Sequence, residues 1–158
     1  MTSVVALSVL AGGLVACSPP PAENKVTYGM EAENDQGWCL PEAQSTTPGM
    51  LTTRAMFDPL TVPDHNGDYV PFLAKAVTPN DDFTEWTITL REGVVFHDGS
   101  PLNSTVLKNN LDAFRGKYPA RNPRLFLFTF DDIADAKVVD ECNVVVTTTV
   151  PWRAFPAF

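Results

Sequence analysis

Few residues of this chain could do chemistry: three cysteines, two histidines and the adjacent carboxylate pairs Asp81-Asp82 and Asp131-Asp132. Cys17 has the most telling surroundings. Residues 4–16 before it are apolar apart from Ser8 and two glycines, and carry no charge. After it, Ser18-Pro19-Pro20-Pro21-Ala22-Glu23 cannot continue a helix, because proline lacks the amide donor and clashes with the preceding turn. An apolar run of this length fits the h-region of a secretory signal and falls short of the ~20 residues that span a bilayer. Leu14-Val15-Ala16-Cys17 then matches a lipoprotein box. In that chemistry diacylglycerol alkylates the Cys17 sulfur, the chain is cut before it, and Cys17 becomes a lipidated N-terminus. Acyl chains bury at about 0.8 kcal/mol per CH₂, which holds a protein at a membrane face without a spanning helix. Two other readings fit the same residues: a plain secretory signal with Cys17 incidental, and a short buried helix of a cytosolic domain. The Pro-rich flank suits a tether better than a core and favours the anchor, although Met1-Thr2-Ser3 lacks the Lys or Arg usual at the head of a signal. Both signal readings place the mature protein outside the cytoplasm.

The remaining groups separate by spacing. Cys39 and Cys142 could form a disulfide in an oxidising compartment. A bridge needs Cα atoms about 4.4–6.8 Å apart, which sequence does not fix. Each could equally be a small buried hydrophobe, or Cys39 could pair with a residue outside this sequence. His65 and His97 lie within turns, and no third ligand has the spacing of a metal site, so no metal is expected. The aspartate pairs read as solvated caps or turns. No Gly-x-Ser-x-Gly elbow and no glycine-rich phosphate loop is present. These residues point to no enzyme and no cofactor. Asn103-Ser104-Thr105 fits a glycosylation acceptor but also begins a helix. Trp38 follows the turn formers Asn34-Asp35-Gln36-Gly37 after a first strand, where mixed α/β domains place ligand contacts. It is the candidate ligand-binding residue, and a core or hinge aromatic is the competing reading.

The elements that must position these residues follow from periodicity. Val26, Tyr28 and Met30 alternate as a strand with one buried face. Residues 48–57 read as a helix with proline in its first turn. Pro59, Pro63, His65-Asn66-Gly67-Asp68 and Pro71 then break the chain repeatedly. Trp86, Ile88 and Leu90 share one face of a strand over 85–90, with Trp86 in the core. Val94-Val95-Phe96 follows Arg91-Glu92-Gly93 as its paired strand. Asn103 or Ser104 caps a helix carrying Val106, Leu107, Leu111 and Phe114, which stops at Gly116. Residues 136–139 and 144–149 flank Asp140-Glu141-Cys142-Asn143 as a β-hairpin. The fold class is α/β in the sense of mixed α+β, with hairpins supplying the sheet. Net charge is −8, and the 11 Lys and Arg residues never cluster. No basic face for a nucleic-acid backbone is therefore expected.

An ordered set of segments over residues 56–114 resembles one family, the bacterial extracellular solute-binding proteins of family 5. The set is Phe57-Asp58-Pro59-Leu60, then Pro71-Phe72-Leu73-Ala74, then Trp86-Thr87-Ile88-Thr89-Leu90-Arg91-Glu92-Gly93-Val94-Val95-Phe96-His97-Asp98-Gly99-Ser100-Pro101-Leu102. Asn110-Leu111-Asp112-Ala113-Phe114 and the hairpin over 138–149 follow in the expected order. The resemblance implies part of the first lobe of a type II periplasmic-binding-protein fold, which closes on a peptide by a hinge motion. It also implies an ATP-binding-cassette permease and its ATPase as partners. The 86–102 block reads as scaffold, without ligand contacts. Relatives on the same scaffold bind a nickel chelate, an oligosaccharide or an opine; a surface lipoprotein without a transport role is the other alternative.

The expected organisation is a signal with its lipobox over 1–17, a Pro-rich tether over 18–24, and part of a solute-binding domain over 25–158. Pro151-Trp152-Arg153-Ala154-Phe155-Pro156-Ala157-Phe158 is rich in large apolar groups. Such surface seeks cover, which leads to the expectation that the protein continues past Phe158. A partial lobe alone would then bind peptide weakly.

Overall fold

The computed structural model describes residues 26–32, 38, 47–120, 123 and 127–157. The elements are α1 (Thr47–Met56), β1 (Thr61–Pro63), β2 (Tyr69–Pro71), β3 (Ala74–Pro79), β4 (Glu85–Leu90), α2 (Ser104–Phe114), α3 (Leu127–Phe130), β5 (Ile133–Val138) and β6 (Asn143–Thr148), followed by a 3₁₀ turn at Phe155–Ala157. Strands β3-β4-β6-β5 form one antiparallel sheet in that order, and β1-β2 form a separate two-stranded ribbon.

Side-chain alternation decides which face of the sheet is buried. Val77, Ile88, Val144 and Val138 meet across the four strands, and Trp86, Val146 and Ala136 form the next row. Ile88, Val144, Val146 and Ala136 are each 1% exposed or less. Onto this face α2 lays Leu107 and Leu111, joined by Phe130 and Phe155. The opposite face carries Glu85, Thr147 and Asp135 in one row and Thr87, Val145 and Lys137 in the next.

Local chemistry sets the ends of α2. Asn103 is extended at φ −140° and its side chain accepts the Val106 N–H at 3.0 Å, as an N-cap should. The Ser104 hydroxyl donates to the Asp140 carbonyl and its N–H to the Glu141 carbonyl, tying the helix start to the β5–β6 loop. At the other end Gly116 takes φ +68°, while the Lys117 and Gly116 amides reach back to the Asp112 and Ala113 carbonyls. This paired closure needs a left-handed residue, which glycine supplies without steric cost.

Helix α1, strand β4, helix α2 and the β5–β6 hairpin stand where the sequence places them, and hairpins do supply the sheet. Two strands do not. Residues 26–30 form no strand, and Val26 and Tyr28 are 95% and 74% exposed. Alternation gives a strand only where a neighbouring strand takes up its backbone groups. Residues 94–96 do not pair with β4 either. Val95 bridges Pro101, and the Phe96 N–H donates to the Ser100 carbonyl at 2.8 Å, closing the His97–Ser100 turn on itself. Both edges of β4 are taken by β3 and β6.

Candidate functional site

Trp38 lies outside the core, 43% exposed. Cys17 and Cys39 fall outside the described residues. Cys142 is half-buried in the β5–β6 loop with a free thiol. Its backbone is engaged: the carbonyl accepts the Leu90 N–H and the N–H donates to Asp140 Oδ1, at 2.8 and 2.9 Å. Among the described residues, Trp38, Cys142 and the two histidines are not brought together into one site. His65 and His97 are exposed in turns. No group of three or more His, Cys, Asp or Glu is placed to hold a metal among the described residues. Asn103 spends its side chain on the helix cap, so the acceptor motif at 103–105 has a structural use.

The turn aspartates act as local acceptors. Asp64 Oδ1 takes the Asn66 and Asp68 amides at 2.8 and 2.9 Å. Asp98 accepts the hydroxyl and amide of Ser100, and these bonds hold its carboxyl below the ordinary aspartate range. Asp82 and Asp140 are lowered in the same way, first by the Thr84 hydroxyl and the Asn143 side chain respectively. These carboxylates hold turns rather than protons for a reaction.

Two surfaces remain as candidates. One is a set of bare apolar side chains on residues 26–32, α1, the ribbon and Trp38: Met30, Leu51, Phe57, Tyr69 and Phe72 are each between 42% and 48% exposed, as is Trp38. The Thr52 hydroxyl meets Met30 Sδ at 3.1 Å, which sets the 26–32 segment beside α1. Apolar side chains in such number on the surface mark a contact with something else. The ribbon's share, Tyr69 and Phe72, escaped sequence reading because the prolines around it present only as breakers. Its signal was three large apolar groups within a four-residue span. The second candidate is an open depression of about 400 Å³ on the outer sheet face, where Glu85, Asp135 and Lys137 stand around Val145 and Thr147. Both suit binding.

Known structures share this architecture. OppA of Haemophilus influenzae, solved in complex with RPPGFSPFR, superposes with a TM-score of 0.62 at 18% identity, over 72% of this chain and 25% of that one. NikZ of Campylobacter jejuni, solved with Ni(L-His), superposes at 0.55 with 29% identity, over 62% of this chain and 19% of NikZ. The fold is therefore part of a type II periplasmic binding protein. In sequence, the glutathione-binding protein GsiB of Salmonella typhi is 39% identical over 83 residues. That alignment takes in 52% of this chain and 16% of GsiB, so the chain spans about a sixth of this relative's length. Residues 68–158 match the profile of the bacterial extracellular solute-binding proteins, family 5, middle. The chain belongs to that family.

Proposed function

We propose that this chain serves as the extracytoplasmic solute-binding component of an ATP-binding-cassette importer, anchored through lipid on Cys17, and that its solute is a peptide. The observation that carries the reading is the family match over residues 68–158. The likeness to GsiB, named for a short peptide, favours peptide over other solutes. The exposed apolar side chains of Met30, Trp38, α1 and the ribbon are the groups of this chain that would face the solute. Such a surface tolerates varied side chains, and hydrated contacts let tolerance coexist with affinity. Trp38 would offer a rigid aromatic wall. Permease and ATPase are the implied partners, and the acidic chain has no basic cluster for nucleic acid. The fold and the matches support a binding protein rather than an enzyme. Among the described residues no helix is long and apolar enough to cross a membrane.

The 29% identity with NikZ favours one second reading, a nickel chelate as solute. Isothermal titration of the protein expressed from its own gene separates the two. Saturable heat with glutathione or a mixed oligopeptide pool supports the peptide reading. Heat with nickel–histidine alone replaces it with the second. Silence with all three overturns both.

A further inference from the structure

Residues 148–157 cross the end of the sheet after β6 and fasten it at several points. The Thr148 N–H donates to the Thr84 carbonyl at 2.8 Å, and its hydroxyl donates to the Val150 carbonyl at 2.7 Å. The Trp152 N–H then donates to the Phe83 carbonyl at 2.9 Å. The Arg153 guanidinium stands 4.3 Å from the centre of the Phe83 ring, a distance at which cation and ring face attract. Phe155 stacks on Trp86 with 5.3 Å between centroids and meets Trp152 edge-on at 5.4 Å. The Pro156 carbonyl finally accepts the hydroxyl of Thr61, on the ribbon.

Phe83 itself is held in an unfavourable conformation. Its φ is +60°, and it is the one non-glycine residue with positive φ among the described residues. A bulky side chain there crowds the backbone, and such a conformation persists only where the surroundings over-determine it. Within the turn, the Phe83 N–H has only a 3.3 Å bond to the Asn80 carbonyl. From outside the turn, its carbonyl is held by the Trp152 N–H and its ring by Arg153 and by Trp86 on β4, 6.2 Å between centroids. The strain in the turn and the contacts of residues 148–157 therefore depend on one another.

We infer that residues 148–157 form a latch, and that latch, β3–β4 turn and β1–β2 ribbon open and close as one unit. Releasing Pro156 from Thr61 loosens the latch, the latch frees Phe83, and Phe83 relaxes out of the left-handed region. Coupling runs equally in the other direction, as linkage requires. Anything that grips the exposed Tyr69 and Phe72 on the ribbon would thus shift the turn at the far end of the latch. The latch stands whether the solute is a peptide or a nickel chelate.

Amide hydrogen exchange on the protein expressed from its own gene tests the coupling, read at Trp152 (latch to turn), Phe72 (ribbon) and Ile88 (sheet centre). Thr61→Val should speed exchange at Trp152 by about threefold or more while leaving Ile88 unchanged, the mark of a local opening. In a Phe83→Gly background, where ring and strain are both gone, the same change should have a clearly smaller effect. Arg153→Gln, at an exposed position, is an independent arm that should speed Trp152 and Phe72 together. The latch is refuted by a Trp152 amide that ignores Thr61→Val. It is refuted equally by effects of Thr61→Val and Phe83→Gly that simply add, or by Arg153→Gln moving Trp152 without Phe72.

Discussion

Asp112→Asn probes how α2 is fixed to the sheet. Asp112 is 8% exposed and lies between Lys108 on α2 and Arg115, the residue that caps its C-terminus. Arg115 Nη1 stands 2.9 Å from Asp112 Oδ1, and Nη2 donates to the Ala134 carbonyl on β5 at 2.6 Å. The Arg115 side chain is 5% exposed, and its buried Nε has no hydrogen-bond partner among the described residues. The guanidinium is thus a buried bridge from helix to edge strand, with Asp112 balancing its charge. Removing one partner of a buried pair costs about 3–5 kcal/mol, because the other charge stays buried. Asparagine keeps the shape and one acceptor, so about 2–3 kcal/mol is expected here. The Lys108 arm differs, since its side chain is 36% exposed. An exposed i,i+4 pair contributes about 0.3–0.5 kcal/mol, and Lys108→Ala should lose no more than that. With a urea slope of about 1–3 kcal/mol per molar, Asp112→Asn should lower the unfolding midpoint by about 1–2 M, and Lys108→Ala should barely move it. Equal losses from the two variants, or a loss below about 1 kcal/mol from Asp112→Asn, would refute the buried-bridge account.

Asn103→Ala removes the acceptor for the Val106 amide and should cost about 1 kcal/mol in urea unfolding, with Asn103→Ser recovering most of it. Asp82, Asp98 and Asp140 have folded carboxyl values below the ordinary ~3.9, so their contribution is present above that value and is lost as pH falls through the folded values. Carboxyl NMR titration should show all three ionising below the ordinary ~3.9, and midpoints at or above that value would contradict the turn hydrogen bonds. Cys17→Ser should abolish labelling by radioactive palmitate and release the protein from the membrane fraction, and globomycin should block processing of the wild type. Retention of Cys17→Ser in membranes would remove the anchor from the proposal.

Sequence reading succeeded where one element carries its own instructions. Helix α2 has a capping Asn103, an apolar stripe and a terminal Gly116, and strand β4 alternates cleanly from Glu85 to Leu90. Strand β3 was invisible because Ala-Lys-Ala-Val-Thr-Pro is a weak strand sequence. It serves at an edge, where the outer amides need no ladder partner and Pro79 is tolerated. Residues 26–30 show the converse error, a good strand pattern without a ladder. Pairing of β4 with β6 joins residues such as Thr89 and Asn143 across 54 positions, side chain to side chain at 2.7 Å. Local pattern cannot announce that partner. The exposed apolar surface was hidden for a different reason: exposure is a property of what fails to cover a residue, and Tyr69 or Phe72 looks the same in sequence whether covered or bare.

The 86–102 segment lies within the family match over 68–158, and its residues are occupied with structure. Trp86, Ile88 and Leu90 are core, Gly93 and Gly99 take φ of +73° and +83°, and Asp98 holds Ser100. Each of these requirements restricts residue type regardless of what is bound. A left-handed turn position admits glycine, and a sheet interior admits β-branched or aromatic groups. The family match over 68–158 falls on the scaffold, and the same scaffold serves GsiB, named for glutathione, and relatives solved with RPPGFSPFR and with Ni(L-His). If the proposed solute-facing side chains are right, substitutions that change the solute are expected among the bare side chains of α1, the ribbon and Trp38. Substitutions within 86–102 should change stability before they change what is bound.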